Sequence, residues 1–194
     1  KFHNSFSGTQ KVIAPSAYVV PQAWGEVISR LKLNGVRMRR LSEDEVLSVG
    51  VYKIDKYETV PQPYEGHYLH KNVTVTKENK KIKLLAGDYV IDVDQPAKRF
   101  IIEVLEPTGP DAFFAWNFFD AVLQQKEYFS DYVFEDEAPE ILKNNPALKK
   151  ELKAKQKSDA EFAKSAAKQL DFIYRRSPYY EAEHMRYPIF RIER

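Results

Sequence analysis

Residues 72–84 read NVTVTKENKKIKL, and the way this stretch folds decides the architecture. Val73 and Val75, then Ile82 and Leu84, alternate with polar residues at the period of a half-buried strand. VLSVGVYKI (46–54) before it and GDYVIDV (87–93) after it carry the same period. The KENK break at 77–80 and the AGD break at 86–88 read as hairpin turns, so 46–93 is expected to form an antiparallel sheet.

Working outward, KVIAPSAYVVP (11–21) is rich in β-branched residues and reads as extended. QAWGEVISRLKLNG (22–35) places Trp24, Val27, Ile28 and Leu31 on one helical face, and Asn34 and Gly35 end the helix. VRMRRL (36–41) resumes as a strand with Val36, Met38 and Leu41 inward, which makes a βαβ-like unit. SEDE (42–45) reads as a boundary turn. DQPAKRFIIEVLEP (94–107) is expected to be a short helix with Pro96 in its first turn and Phe100, Ile101, Val104 and Leu105 on its inner face.

From Asp111 the composition turns helical. DAFFAWNFFDAVLQQKEYF (111–129) suggests a helix with a broad aromatic face, and EDEAPEILKNN (135–145) and PALKKELKAKQK (146–157) are shorter amphipathic segments. DAEFAKSAAKQLDFIYRR (159–176) reads as one continuous helix with Phe162, Ala166, Leu170 and Ile173 as its stripe. YYEAEHMRYPIFRIER (179–194) reads as extended. The expected class is therefore α+β. The expected organisation is a loose segment 1–16, an α/β-rich part 17–110 with antiparallel strands, and a mainly helical part 111–194 packed on it as one compact unit.

The chain has 194 residues, 43% hydrophobic and 30% charged, which are globular proportions that can bury a core. Thirty basic residues against 28 acidic ones leave a net charge of +2, too balanced to attract nucleic acid or an anionic membrane over distance. The absence of cysteine removes disulfides, thiolate nucleophiles and cysteine-based metal sites. No apolar run approaches the roughly 20 residues that cross a bilayer, so membrane insertion is not expected. The start at Lys1, without a methionine, suggests a piece of a longer polypeptide.

His67 and His70, beside Glu65 in PQPYEGHYLHKNVTV (61–75), are the candidate metal ligands. Pro61, Pro63 and Gly66 argue against a helix there, and in a strand residues three apart face opposite ways, so the site would need an irregular loop and further ligands. His3 and His184 could supply them only in principle. The structural alternative packs these rings at the entry to a strand. Neither GxSxG, a Gly-rich phosphate loop nor HExxH is present. Glu65, Asp92, Asp94 and Glu103 could still meet as an acid/base pair across the fold. In FIYRRSPYYEAEHMRYPIF (172–190), arginines and rings could hold bases and phosphates, but Glu181 and Glu183 would repel a phosphate chain. Nucleic acid is therefore not an expected partner.

Three stretches carry a resemblance: PYEGHYLH (63–70), then GDYVIDVDQPAKRFIIEVLEP (87–107) with DAFFAWNFFDAVLQQKEYFSDYVFED (111–136), and HMRYP (184–188). Together they resemble the C-terminal region of long bacterial zinc carboxypeptidases, the carboxypeptidase A-like metallopeptidases. In that family an HxxE pair and a distant histidine hold zinc, and no histidine of this chain is followed three residues later by glutamate. The resemblance thus implies a non-catalytic accessory region, with zinc in a separate catalytic domain of the same polypeptide and an extracytoplasmic location. It also implies an N-terminal peptidase domain as partner. Aromatic surface at Phe113–Phe119 and Tyr128–Phe134 could dock there. Tyr64, Tyr68 and Trp116 could instead be a stacking platform for carbohydrate or peptide, and Phe113 and Phe118 complete the candidate surface. A third expectation is a standalone hydrolase using unlinked carboxylates or a His67-centred metal.

Overall fold

The computed structural model describes residues 4–5, 7–8 and 10–193. His3 lies outside them. The chain divides into two compact units, one that runs to Leu123 and resumes at Met185, and one of Gln124–His184.

The first unit is built on a six-stranded sheet. In chain order it contains β1 (Ala17–Val20), α1 (Gly25–Leu33), β2 (Arg39–Arg40), β3 (Glu45–Thr59), β4 (His70–Leu84), β5 (Tyr89–Asp92), α2 (Lys98–Leu105) and β6 (Phe190–Ile192). The strand order is β2-β5-β1-β6-β3-β4 and every neighbouring pair is antiparallel. β1 and β2 both run antiparallel to β5, which lies between them. The βαβ-like unit is therefore real but split: its two parallel strands are separated by β5. α1 ends as its sequence implies. Gly35 has φ +72, and the N–H groups of Gly35 and Val36 donate to the Lys32 and Leu31 carbonyls, satisfying the last turn.

The stretch 72–84 contains no turn. β4 continues through KENK, with Lys77, Glu78, Asn79 and Lys80 opposite Tyr52, Val51, Gly50 and Val49. The apparent break arises because the hydrophobic face changes along the strand. Val73 and Val75 pack on a core with Tyr18, Val20, Ile54 and Ile91, whereas Ile82 and Leu84 belong to a second cluster with Val19, Val49, Val51 and Phe190. Strand residues of opposite parity reach opposite faces, so one strand buried on different faces at its two ends mimics a turn. The AGD break is a turn, with Gly87 at φ +101, but not the expected hairpin turn, because β4 and β5 do not pair.

Two connections are too short for a flat sheet. β4 and β5 stand four strand spacings apart, roughly 19 Å in a flat sheet, yet only residues 85–88 join them. Five fully extended steps span about 17 Å, and this connection also turns on the Asp88 N–H to Leu85 carbonyl bond. β2 and β3 are joined across the same number of strands by residues 41–44. The sheet must curl to bring its edges together. Leu41 from one edge and Leu84 from the other accordingly share the second cluster.

The opposite face carries the larger core. Val27, Ile28 and Leu31 of α1, Ile101, Val104 and Leu105 of α2, and Phe113, Phe114 and Phe119 fill it. The expected helix through the aromatic run is not formed: the only helical turn among residues 111–129 is a 3-10 turn at Asp120–Val122. Residues 112–115 and Phe119 are all buried, and a helix would turn some of them outward. Asn117 at φ +67 instead redirects the chain. α2 matches its expected face, but begins at Lys98, with Pro96 just ahead of it.

The second unit contains α3 (Asp131–Asn144), α4 (Pro146–Ser158), α5 (Ala160–Lys164) and α6 (Ala166–Tyr174) around Phe134, Ala138, Leu148, Leu152, Phe162, Ile173 and Tyr174. The continuous helix expected over 159–176 is broken at Ser165, whose extended backbone lets its hydroxyl accept from the Lys168 N–H. The Gln169 amide donates to the Phe162 and Ala163 carbonyls, and the Ser165 N–H also donates to Phe162. The break leaves Ala166 exposed rather than in the stripe.

One buried charge pair ties the first unit together. Glu106, at the end of α2, accepts from Arg191 of β6 and from the Tyr18 hydroxyl at 2.5 Å, and Arg191 also donates to the Tyr52 hydroxyl at 2.9 Å. Glu106 and Arg191 are 3% and 2% exposed, so neither can fall back on water. Burial, then the Glu106 charge, pushes the Tyr18 and Tyr52 hydroxyls well above the usual tyrosine range, and burial does the same at Tyr187. Glu106→Ala should cost about 3–5 kcal/mol in chemical denaturation, and Glu106→Leu with Arg191→Met should recover most of it. Because those tyrosines have folded pKa values above their unfolded ones, their stabilisation is intact below about pH 10. It is lost as pH rises further. The thermal midpoint should fall steeply beyond that pH, with the share of tyrosinate absorbance due to Tyr18, Tyr52 and Tyr187 appearing only on unfolding.

Candidate functional site: the aromatic end of the long hairpin

β3 and β4 extend into a connection, residues 60–69, that holds the candidate residues. The Tyr64 and His67 backbones exchange two hydrogen bonds of 2.9 Å across Glu65 and Gly66, which have φ +50 and +80. Positive φ at both central positions is the condition of a type I′ hairpin turn, so EGHYLH begins as a turn and ends as a strand. Glu65 belongs to that turn.

This turn faces the irregular aromatic segment. Tyr64 lies 6.2 Å from Trp116, tilted by 51°, and His67 packs edge-on against Trp116 at 5.5 Å. His67 also lies over Phe118 at 6.4 Å, and Phe118 packs on Phe113 at 5.1 Å. The Asn117 amide donates to the Tyr68 carbonyl. Five residues from distant parts of the sequence, Tyr64, His67, Phe113, Trp116 and Phe118, thus form one chain of ring contacts, with Tyr68 beside it. Tyr64 and Tyr68 are 59% and 51% exposed, whereas Phe113 is buried and Trp116 and Phe118 are half-buried. The surface is uneven: His67 stacks nearly parallel on Phe118, while the Tyr64–Trp116, His67–Trp116 and Phe113–Phe118 pairs are tilted or edge-on.

His70 does different work from His67. It is buried between the Tyr57 and Phe114 rings. Its Nδ1 is 3.0 Å from the Thr59 hydroxyl, and its Nε2 is 3.0 Å from Asp120 Oδ1 and 3.2 Å from the Asn117 amide nitrogen. Its backbone N–H donates to the Ala115 carbonyl. The hairpin base is thereby pinned to the aromatic segment. Hydroxyl, imidazole and carboxylate in sequence also have the connectivity of an activated nucleophile, with Thr59 in that role. Sequence reading missed Thr59, Asn117 and Asp120 because nothing in their spacing joins them to His70.

These residues do not fit a zinc site. Both ring nitrogens of His70 are engaged, His67 is packed on rings, and among the described residues no three His, Cys, Asp or Glu side chains are grouped to hold a metal ion. The four candidate carboxylates are not brought together as an acid/base set. Asp92 and Asp94 border a polar cavity with Arg37 and Arg39, Glu65 is in the hairpin turn, and Glu103 pairs with Arg99 on α2. A cavity of about 560 Å³ does lie against α2, but its carboxylates, Glu103 and Glu106, are committed to Arg99 and Arg191. His184 belongs to the second unit, its Nδ1 2.5 Å from the Tyr180 hydroxyl.

Known proteins supply one further observation. Over 103 residues, 51% of this chain, the sequence is 30% identical to Carboxypeptidase 2 of Trichophyton tonsurans and to that of Trichophyton equinum. That stretch is carboxypeptidase-related. The match covers 18% of those fungal proteins, so the similarity concerns a minor part of each. No family profile matches the sequence, and no solved structure matches it.

His70→Ala removes the ring contacts to Thr59 and Asp120 but keeps the backbone bond to Ala115, and should destabilise the first unit by about 2–4 kcal/mol. Tyr64→Ala and Tyr68→Ala, at exposed positions, should change stability by less than about 0.5 kcal/mol. Urea denaturation of the three variants checks both expectations together.

Proposed function

We propose that this chain is a non-catalytic accessory domain of a zinc carboxypeptidase-like protein, which stabilises the peptidase domain or shapes access to it. The carrying observation is the similarity to part of Carboxypeptidase 2, confined to 18% of that protein. The chain also lacks any HxxE pair, and His67 and His70 are used in packing and hydrogen bonding. On this reading zinc and the catalytic residues belong to a separate peptidase domain of the same polypeptide, of the bacterial carboxypeptidase A-like kind that the sequence resembles.

Its docking face is the hairpin end, where Tyr64, Tyr68 and Trp116 present apolar rings. A carbohydrate or peptide platform would favour coplanar rings, and the 51° between Tyr64 and Trp116 favours docking instead. The domain leaves the chemistry to its partner.

The flanking coding sequence tests the family: an HxxE with a later histidine is expected, and flanks without that pattern overturn the proposal. Docking is tested by making the peptidase domain separately and titrating it with this chain. Trp116→Ala should weaken the association about tenfold, near 1.4 kcal/mol, as expected for an interface ring. Peptide hydrolysis by the isolated chain, abolished by Thr59→Val, would instead make it a standalone hydrolase.

A further inference from the structure

The helical unit carries a second aromatic surface with a different chemistry. α3 is strongly acidic: Asp131, Glu135, Asp136, Glu137 and Glu140 share it with one base, Lys143, which pairs with Glu140. Where α3 begins, the chain leading into it and the chain leaving α6 line a cavity of about 430 Å³. Its floor is a ring cluster, with Phe129 4.9 Å from Phe134 and 4.6 Å from Tyr174. Tyr128 and Tyr179 stand at its rim, 75% and 57% exposed. Glu127 and Glu137 supply its charge, and no lysine or arginine is among the residues that line it.

The nearby cations do not neutralise this groove. Arg175 is bound to Asp171 at 2.8 Å, and Arg176 pairs with Glu151 at 3.4 Å. Glu137 Oε2 accepts only a long 3.4 Å bond from the Tyr179 hydroxyl, which leaves most of its hydrogen-bonding capacity open. The Lys126 backbone N–H is held by Glu181.

Aromatic faces attract cations through their quadrupole, and carboxylates at the rim add charge and directed acceptors. A neutral apolar ligand would leave Glu127 and Glu137 desolvated without compensation, and an anion would be repelled. We propose that the groove formed by Tyr128, Phe129, Val133, Tyr179, Glu127 and Glu137 binds the cationic side chain of a lysine or arginine in a peptide. This site is distinct from the hairpin end and does not rest on the accessory-domain reading. The aliphatic stem of either residue would lie on Phe129 and Val133 while its charged head meets Glu137.

The test is a titration of the full chain, followed by amide NMR, with acetyl-Gly-Arg-Gly-amide and its lysine, citrulline and Nε-acetyl-lysine counterparts. Shifts should concentrate at residues 127–137 and 174–179. The two charged peptides should bind more tightly than their neutral isosteres by between about twofold and about thirtyfold. Glu137→Gln should weaken the charged peptides severalfold and leave the neutral ones unchanged, and Tyr128→Ala, at an exposed position, should weaken binding with the amide spectrum otherwise preserved. Equal affinity for arginine and citrulline peptides would overturn the proposal, as would shifts lying elsewhere. Tetramethylammonium binding as tightly as the peptides would also overturn it, because the site would then take any small organic cation.

Discussion

The two short crossings at one end of the sheet constrain everything else in the first unit. Residues 41–44 and 85–88 each join strands four places apart, and neither is long enough to do so unless the sheet curls. Curling gives the sheet an inner face lined by small aliphatic residues such as Ala17, Val19, Val49 and Val90, and an outer face that receives α1, α2 and the aromatic segment. Central strands are therefore buried on both sides. The long β3–β4 hairpin changes its buried face along its length, which is why its hydrophobic pattern looked interrupted.

Two polar arrangements then lock the covering elements in place. Glu106 and Arg191 join the end of α2 to β6, and the tyrosine hydroxyls complete their hydrogen bonding. Thr59, His70 and Asp120 join the hairpin base to the aromatic segment. Such groups lose a great deal when one partner is removed, so they enforce one arrangement of the surrounding elements more than they add net stability. The hairpin end owes its presented rings to the second of them.

The two exposed aromatic surfaces differ in what surrounds them. At the hairpin end, rings pack against rings, with Arg30 over Phe118 at 4.5 Å. This suits an apolar protein face. In the helical unit the rings border carboxylates and suit a cation. Aromatic residues are abundant in both segments of the sequence, yet composition could not separate floor from rim. Phe134 became interior and Phe129 half-buried, while Tyr128 and Tyr132, close by in sequence, stayed exposed.

What the sequence determined by itself was local. Period-two segments became strands, Gly35 ended α1, the AGD stretch became a turn, and the inner face of α2 was legible, because each depends on residues within a few positions. The α+β class followed from those pieces. Tertiary structure decided which face of each strand was buried, the continuity of β4 through KENK, the loss of the aromatic helix and the break at Ser165. It also decided the partners of His70. Those outcomes depend on contacts between residues far apart in the chain, such as Thr59 with His70 and both with Asp120, or Glu106 with Arg191, whose pairing energy exists only once the fold has brought them together.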